Sequence, residues 1–147
     1  YTFNPTATIS VSTTDGNPLT FGAMDSATRE ATSNNLVIKN MGVVGVYAYI
    51  AGTNFYQSST YGICPTSNVL AISNFKYNAG SGWISIPTYV SSGACDSTIC
   101  YGGNPIPSAG TVLHQGDIQN VGIKLVFPTP CSGTYDNGKI NIVIATA

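Results

Sequence analysis

Four cysteines, one histidine and six carboxylates are the side chains in this 147-residue chain with reactive chemistry to offer. The cysteines are Cys64, Cys95, Cys100 and Cys131. The stretch "CDSTIC" closes a small local loop, so Cys95–Cys100 is the first expected disulfide, and Cys64–Cys131 is left to join distant segments. Four cysteines allow three pairings, and spacing alone does not choose among them. A zinc site wants closely spaced C-x2-C-like pairs, and one C-x4-C with two scattered cysteines is a poor match, so disulfides are the stronger reading. His114, in "TVLHQG", lies on an alternating segment and reads as structural. A Ser–His–Asp triad would want a G-x-S-x-G elbow, and the sequence has none. Asp15, Asp25, Glu30, Asp96, Asp117 and Asp136 are scattered singly. Asp15, Asp96 and Asp136 sit where turns are expected, a common use of that side chain. No stretch is dense enough in acidic oxygens for calcium. The expectation is a protein that is not an enzyme and has no cofactor and no metal.

The elements that would position these residues follow from composition and period. Charged residues make up 7% of the chain, against about 25% in ordinary globular proteins. Hydrophobic content is 43%, which disfavours disorder. The length suits one domain with a real core. A net charge of −1 and the lack of a basic stripe argue against nucleic acid and against an anionic membrane surface. No apolar run is long enough to span a bilayer. Paired cysteines, few charges and the missing initiator methionine read as a mature protein exported to an oxidising space. So uncharged a surface is poorly protected against association. It invites either burial in an assembly or O-glycosylation of its many Ser and Thr residues. The only Asn-x-Thr match, Asn4-Pro5-Thr6, is disqualified by its proline.

Apolar residues recur with period two. "NNLVIKN" sets Leu36 and Ile38 against Val37 and Lys39, and "VVGVYAYIAG" sets Val46, Ala48 and Ile50 against Tyr47 and Tyr49. "VGIKLVF" aligns Val121, Ile123, Leu125 and Phe127, and "KINIVIA" aligns Ile140, Ile142 and Ile144. Such patterns are half-buried antiparallel strands. Turn signals separate them at Asp15-Gly16, Asn40-Met41-Gly42, Gly80-Ser81-Gly82 and Asn137-Gly138. "YDNGKI" reads as a tight hairpin, because Asn-Gly suits a type I′ turn. "AMDSATREATS" reads as a loop or a short turn, and residues 91–110 as a long irregular insertion pinned by a disulfide. Trp83 either caps the core, the favoured reading, or stands at a loop tip as a platform for sugars. The face shared by Tyr47 and Tyr49 suits a subunit contact. Many short strands with frequent turns predict an all-β fold, an antiparallel β-sandwich of about seven to nine strands.

Taken in order, "NPLTFGAM", "LVIKNMGVVGVYAYIAGTNF", "VLAISNFKY" and "VGIKLVFPTPCSGTYDNGKINIVIATA" resemble the Ig-like β-sandwich domains of archaeal secreted and cell-surface proteins. The carriers are Leu19-Thr20-Phe21-Gly22, Asn40-Met41-Gly42, and Gly133-Thr134-Tyr135 with Gly138. Ahead of them, "YTFNPTATISV" places Tyr1, Phe3, Ala7, Ile9 and Val11 at alternate positions. This looks like the N-terminal donor strand of archaeal surface filaments, the threads and bundling pili. The resemblance implies that each subunit lends residues 1–14 to the sandwich of the next, residues 15–147. Partners would then be identical subunits in a homopolymer at the cell surface. An added strand would satisfy unpaired backbone and cover an apolar trough, in a groove flanked by two alternating strands, the last one being a candidate. Pro5 lacks a donor and fits only a bulge or an exit point. The competing reading makes this stripe an ordinary first strand of its own domain. The competing function is a monomeric cell-surface or carbohydrate-binding module.

Overall fold

The computed structural model describes residues 8–19, 21, 30–57, 69–93, 95–127 and 135–147. Tyr1, Phe3, Ala7, Cys64 and Cys131 lie outside the described residues. Among those described, the period-two segments form strands: β1 (Ile9–Thr13), β2 (Glu30–Thr32), β3 (Leu36–Asn40), β4 (Val46–Thr53), β5 (Phe55–Gln57), β6 (Val69–Leu70), β7 (Phe75–Asn78), β8 (Ile84–Ser85), β9 (Asn104–Ile106), β10 (Ile118–Val126), β11 (Tyr135–Asp136) and β12 (Lys139–Thr146). A single 3-10 turn, Ile72–Asn74, is the only helical element among them. Two of these strands fall in stretches that read as irregular in sequence. Residues 30–32 extend the "AMDSATREATS" segment into β2, and β9 sits inside the long insertion.

The strands pair antiparallel into an all-β sandwich. The first sheet runs β1-β3-β10-β7-β8, with β2 also on β10. The second sheet runs β12-β4-β9, and a separate three-stranded sheet, β11-β5-β6, follows it along the chain lines of β12 and β4. In β3 the buried residues are Leu36, Ile38 and Asn40, and in β10 they are Val121, Ile123 and Leu125. These meet Val46, Ala48 and Ile50 of β4 and Ile106 of β9 in one core. Phe75 joins the two sheets near the far end of β12, with Phe55 stacked on it at 4.8 Å and Phe21 edge-on at 5.7 Å. Each such side chain stabilises the fold by roughly 1.5–3 kcal/mol on burial.

The Asn137-Gly138 hairpin does not form. Asp136 lies opposite Tyr56 and Lys139 opposite Thr53, so β11 and β12 keep one stagger along β5 and β4. They are one strand line with a kink. Asn137 takes a left-handed φ of 63°, and a Cβ on Gly138 would lie 2.1 Å from the Phe55 ring. A kink beneath an aromatic ring wants the same two residue types as a type I′ turn, which is why the sequence signal misleads.

Candidate functional site

Among the described residues, Asp15, Asp96 and the Cys95–Cys100 pair hold local structure. Asp15 accepts hydrogen bonds from the Asn17 backbone N–H at 3.0 Å and the Asn34 amide at 2.7 Å. Those donors, the Asn34 amide foremost, hold its carboxyl down at about 2. Asp96 accepts from the Thr98 hydroxyl and backbone N–H, each at 2.7 Å, and from the Ile99 N–H at 3.0 Å. The same donors lower its pKa, the Thr98 hydroxyl most. His114 is exposed, and its backbone N–H donates to the Asp117 carboxylate at 2.8 Å. Among the described residues no group of three or more His, Cys, Asp or Glu is placed to hold a metal ion. No helix among them is long and apolar enough to cross a membrane.

The Cys95–Cys100 disulfide is present, and it organises a cover over the outer face of the second sheet. Gly103 packs so closely on β4 that a Cβ there would lie 3.1 Å from the Ile50 carbonyl and from the Tyr49 Cβ. Beneath this loop Tyr49 is 0% exposed, and its phenol donates to the Asp96 carbonyl. Burial, before any nearby charge, pushes the phenol pKa up. Tyr49 therefore offers no surface to a partner, which corrects the reading of Tyr47 and Tyr49 as a shared contact face. The alternation that sends Tyr49 outward is real, but the insertion lies over it. Trp83 does not cap the core either. It is 39% exposed and lies on the outer face of the first sheet, where a Cβ on Gly122 would be 3.2 Å from its ring. The Lys124 ammonium stands 4.8 Å from its ring centroid and 4.0 Å from the Glu30 carboxylate.

What the sandwich leaves uncovered is an edge. Cross-strand partners share a face of a sheet. Ile9, Val11 and Thr13 lie opposite Asn40, Ile38 and Leu36, so all three face the core. Ile9 packs against it, yet Val11 is 46% exposed. On the second sheet, Ile140, Ile142 and Ile144 lie opposite Gly52, Ile50 and Ala48 and also face inward. They touch the core but remain half-buried. Asn40 bonds to Asp117 on the β10 side of β3 and Val46 to Leu113 on the side of β4 away from β12. The short 113–117 segment joins the two, so β1 and β12 lie on the other side of the sandwich. Along that side β12 has β4 as its one strand partner among the described residues. Two apolar edges thus flank an incompletely filled seam.

Of the expected donor residues, Ile9 and Val11 belong to β1 and pair with β3 of the same chain. Just ahead of them the chain is fixed. The Thr8 carbonyl accepts from the Met41 N–H at 2.9 Å and the Gly42 N–H at 3.1 Å. No family model matches the chain, and no curated protein matches it in sequence.

Proposed function

We propose that this protein is a structural subunit of an extracellular, cell-surface filament or pilus, assembled by donor-strand complementation and serving adhesion, cell–cell contact or biofilm. The observation that carries this reading is the incomplete burial of inward-facing residues along one seam, with Val11 46% exposed and Ile142 and Ile144 half-buried. A strand laid there would pair with the side of β12 that has no strand partner among the described residues and would bury apolar groups from both sheets. The pairing of Ile9 and Val11 with β3 narrows the donated part to residues 1–7, which carry Tyr1, Phe3 and Ala7. Donation of residues 1–7 leaves β1 in place. The scarcity of charge fits a surface that is largely buried between subunits or carries O-linked glycans.

Deleting residues 1–7 tests this directly. The expected product is a folded, soluble monomer that never elongates, seen by electron microscopy and by native mass. Filaments of normal length from that deletion would overturn the reading. One observation favours a second reading, a monomeric carbohydrate-binding module: the exposed ring of Trp83 beside Lys124. A single 15.3 kDa species in native material would support it.

A further inference from the structure

The end of the sandwich where Thr8 meets the β3–β4 loop has an exposed apolar surface. Met41 is 55% exposed, Val43 49% and Ile118 55%. All three sit where β3 ends, β4 begins and β10 begins. These loops are rigidly held. Asn40 is fully buried, and its amide donates to the Val44 and Leu113 carbonyls at 2.8 Å each. Its side-chain oxygen accepts from the Gly42 N–H at 2.9 Å. Its own N–H donates to the Asp117 carbonyl and its own carbonyl accepts from the Gly116 N–H. One buried amide thereby ties the β3–β4 loop to the segment leading into β10. Apolar side chains on a preorganised loop lose little entropy when a partner covers them, and a cluster of them is what an interaction site looks like.

We propose that this end seats against the opposite end of a second copy of the chain, near Lys139 and the half-exposed Tyr56. The inference rests on the filament reading and gives it a direction. Thr8 is bonded to the loop that carries Met41 and Val43, so the chain ahead of it, residues 1–7, is joined to the fold at this surface. Any subunit that receives those residues must come against it. Entry from the Thr146 end of the seam would let two copies exchange segments about a two-fold axis and close as a dimer. Entry from the Lys139 end leaves each new subunit with a free seam and a free segment, so growth continues. The donated strand then runs antiparallel to β12, with Tyr1 towards Thr146. Tyr56 tolerates a partly wet contact well, and the formal charge nearby is too sparse to oppose approach.

Two variants test the surface. Met41→Asp/Ile118→Asp alters only exposed side chains, and an unchanged thermal unfolding curve confirms the fold. Elongation followed by light scattering is expected to slow about tenfold or more. Elongation at the unaltered rate overturns the proposal. Met41→Cys/Lys139→Cys, treated with a short bismaleimide, is expected to give a ladder of covalent multimers, while Met41→Cys alone gives none. Dimers from Met41→Cys alone, with no ladder from the pair, also overturn it. The deletion of residues 1–7 separates the two ideas. If the deletion elongates and the Met41/Ile118 variant does not, strand donation fails and the end contact stands. If the deletion is inert and the Met41/Ile118 variant elongates normally, the end contact fails alone.

Discussion

The two sides of β4 are treated in opposite ways. Its outer face, usually the wet side of a sandwich, lies under the disulfide loop at Tyr49, which is 0% exposed. Its neighbour β12, which faces the core, keeps Ile142 and Ile144 only half-buried. A chain with 7% charged residues has little else to keep apolar surface out of water. The connection between β8 and β9 covers Tyr49, while the seam beside β12 is only partly filled. The contrast lies within one strand pair: Ile50 on β4 is 0% exposed, while Ile142 opposite it on β12 stays half-buried.

The largest expected effect separates the two sides by truncation. Ile50→Ala, in the fully buried row, is expected to lower the stability of the isolated subunit by about 2–5 kcal/mol. Ile142→Ala, directly opposite it on β12, is expected to cost roughly half as much, because less of its side chain leaves water. Urea denaturation of both variants checks this, and equal losses would break the comparison. Next comes the cover. Cys95→Ala/Cys100→Ala opens a loop with a sequence separation of 5, for which chain entropy predicts a loss of about 2 kcal/mol. Spectroscopic alkaline titration of the same variant is expected to show the Tyr49 phenol ionising at lower pH than in the parent, since burial is the main cause of its raised pKa.

The smallest effect is in acid. Asp15 has a folded-state pKa of about 2, below its ordinary value of 3.8. Its contribution is therefore fully present above that ordinary value and is lost as pH falls towards 2. Asp96, on the covered side, shifts in the same direction. Melting temperature is expected to be flat from neutral pH to the ordinary carboxylate range and to fall below it. Asp15→Asn should make that fall shallower without removing it, since Asp96 still titrates. A fall of undiminished steepness in Asp15→Asn would show that the β1 turn has no part in it.

Strands with one wet and one dry face were legible in the sequence. Leu36 and Ile38 against Val37 and Lys39, and Val121, Ile123 and Leu125, are placed as their alternation predicts. The nearest cysteine pair and the turn roles of Asp15 and Asp96 were legible too, because each depends on residues close in the chain. What was not legible depends on distant segments. Nothing local to "VYAYIAG" announces that residues near 100 will lie on Tyr49. Nothing local to "GSGW" places Trp83 on Gly122. The seam was readable only in part. The sequence shows that Val11, Ile142 and Ile144 belong to apolar stripes, but whether a stripe is covered is decided by the opposite sheet.

The fixing of Thr8 has a mechanical consequence. A pull on residues ahead of it runs along the axis of β1, whose five residues lie in register against β3 from Ile9↔Asn40 to Thr13↔Leu36. Force in that direction loads the rungs side by side in shear, so they must yield together and cannot peel one at a time. Thr8 is thus the start of a tether that resists tension, gripped at the edge of the first sheet by β3.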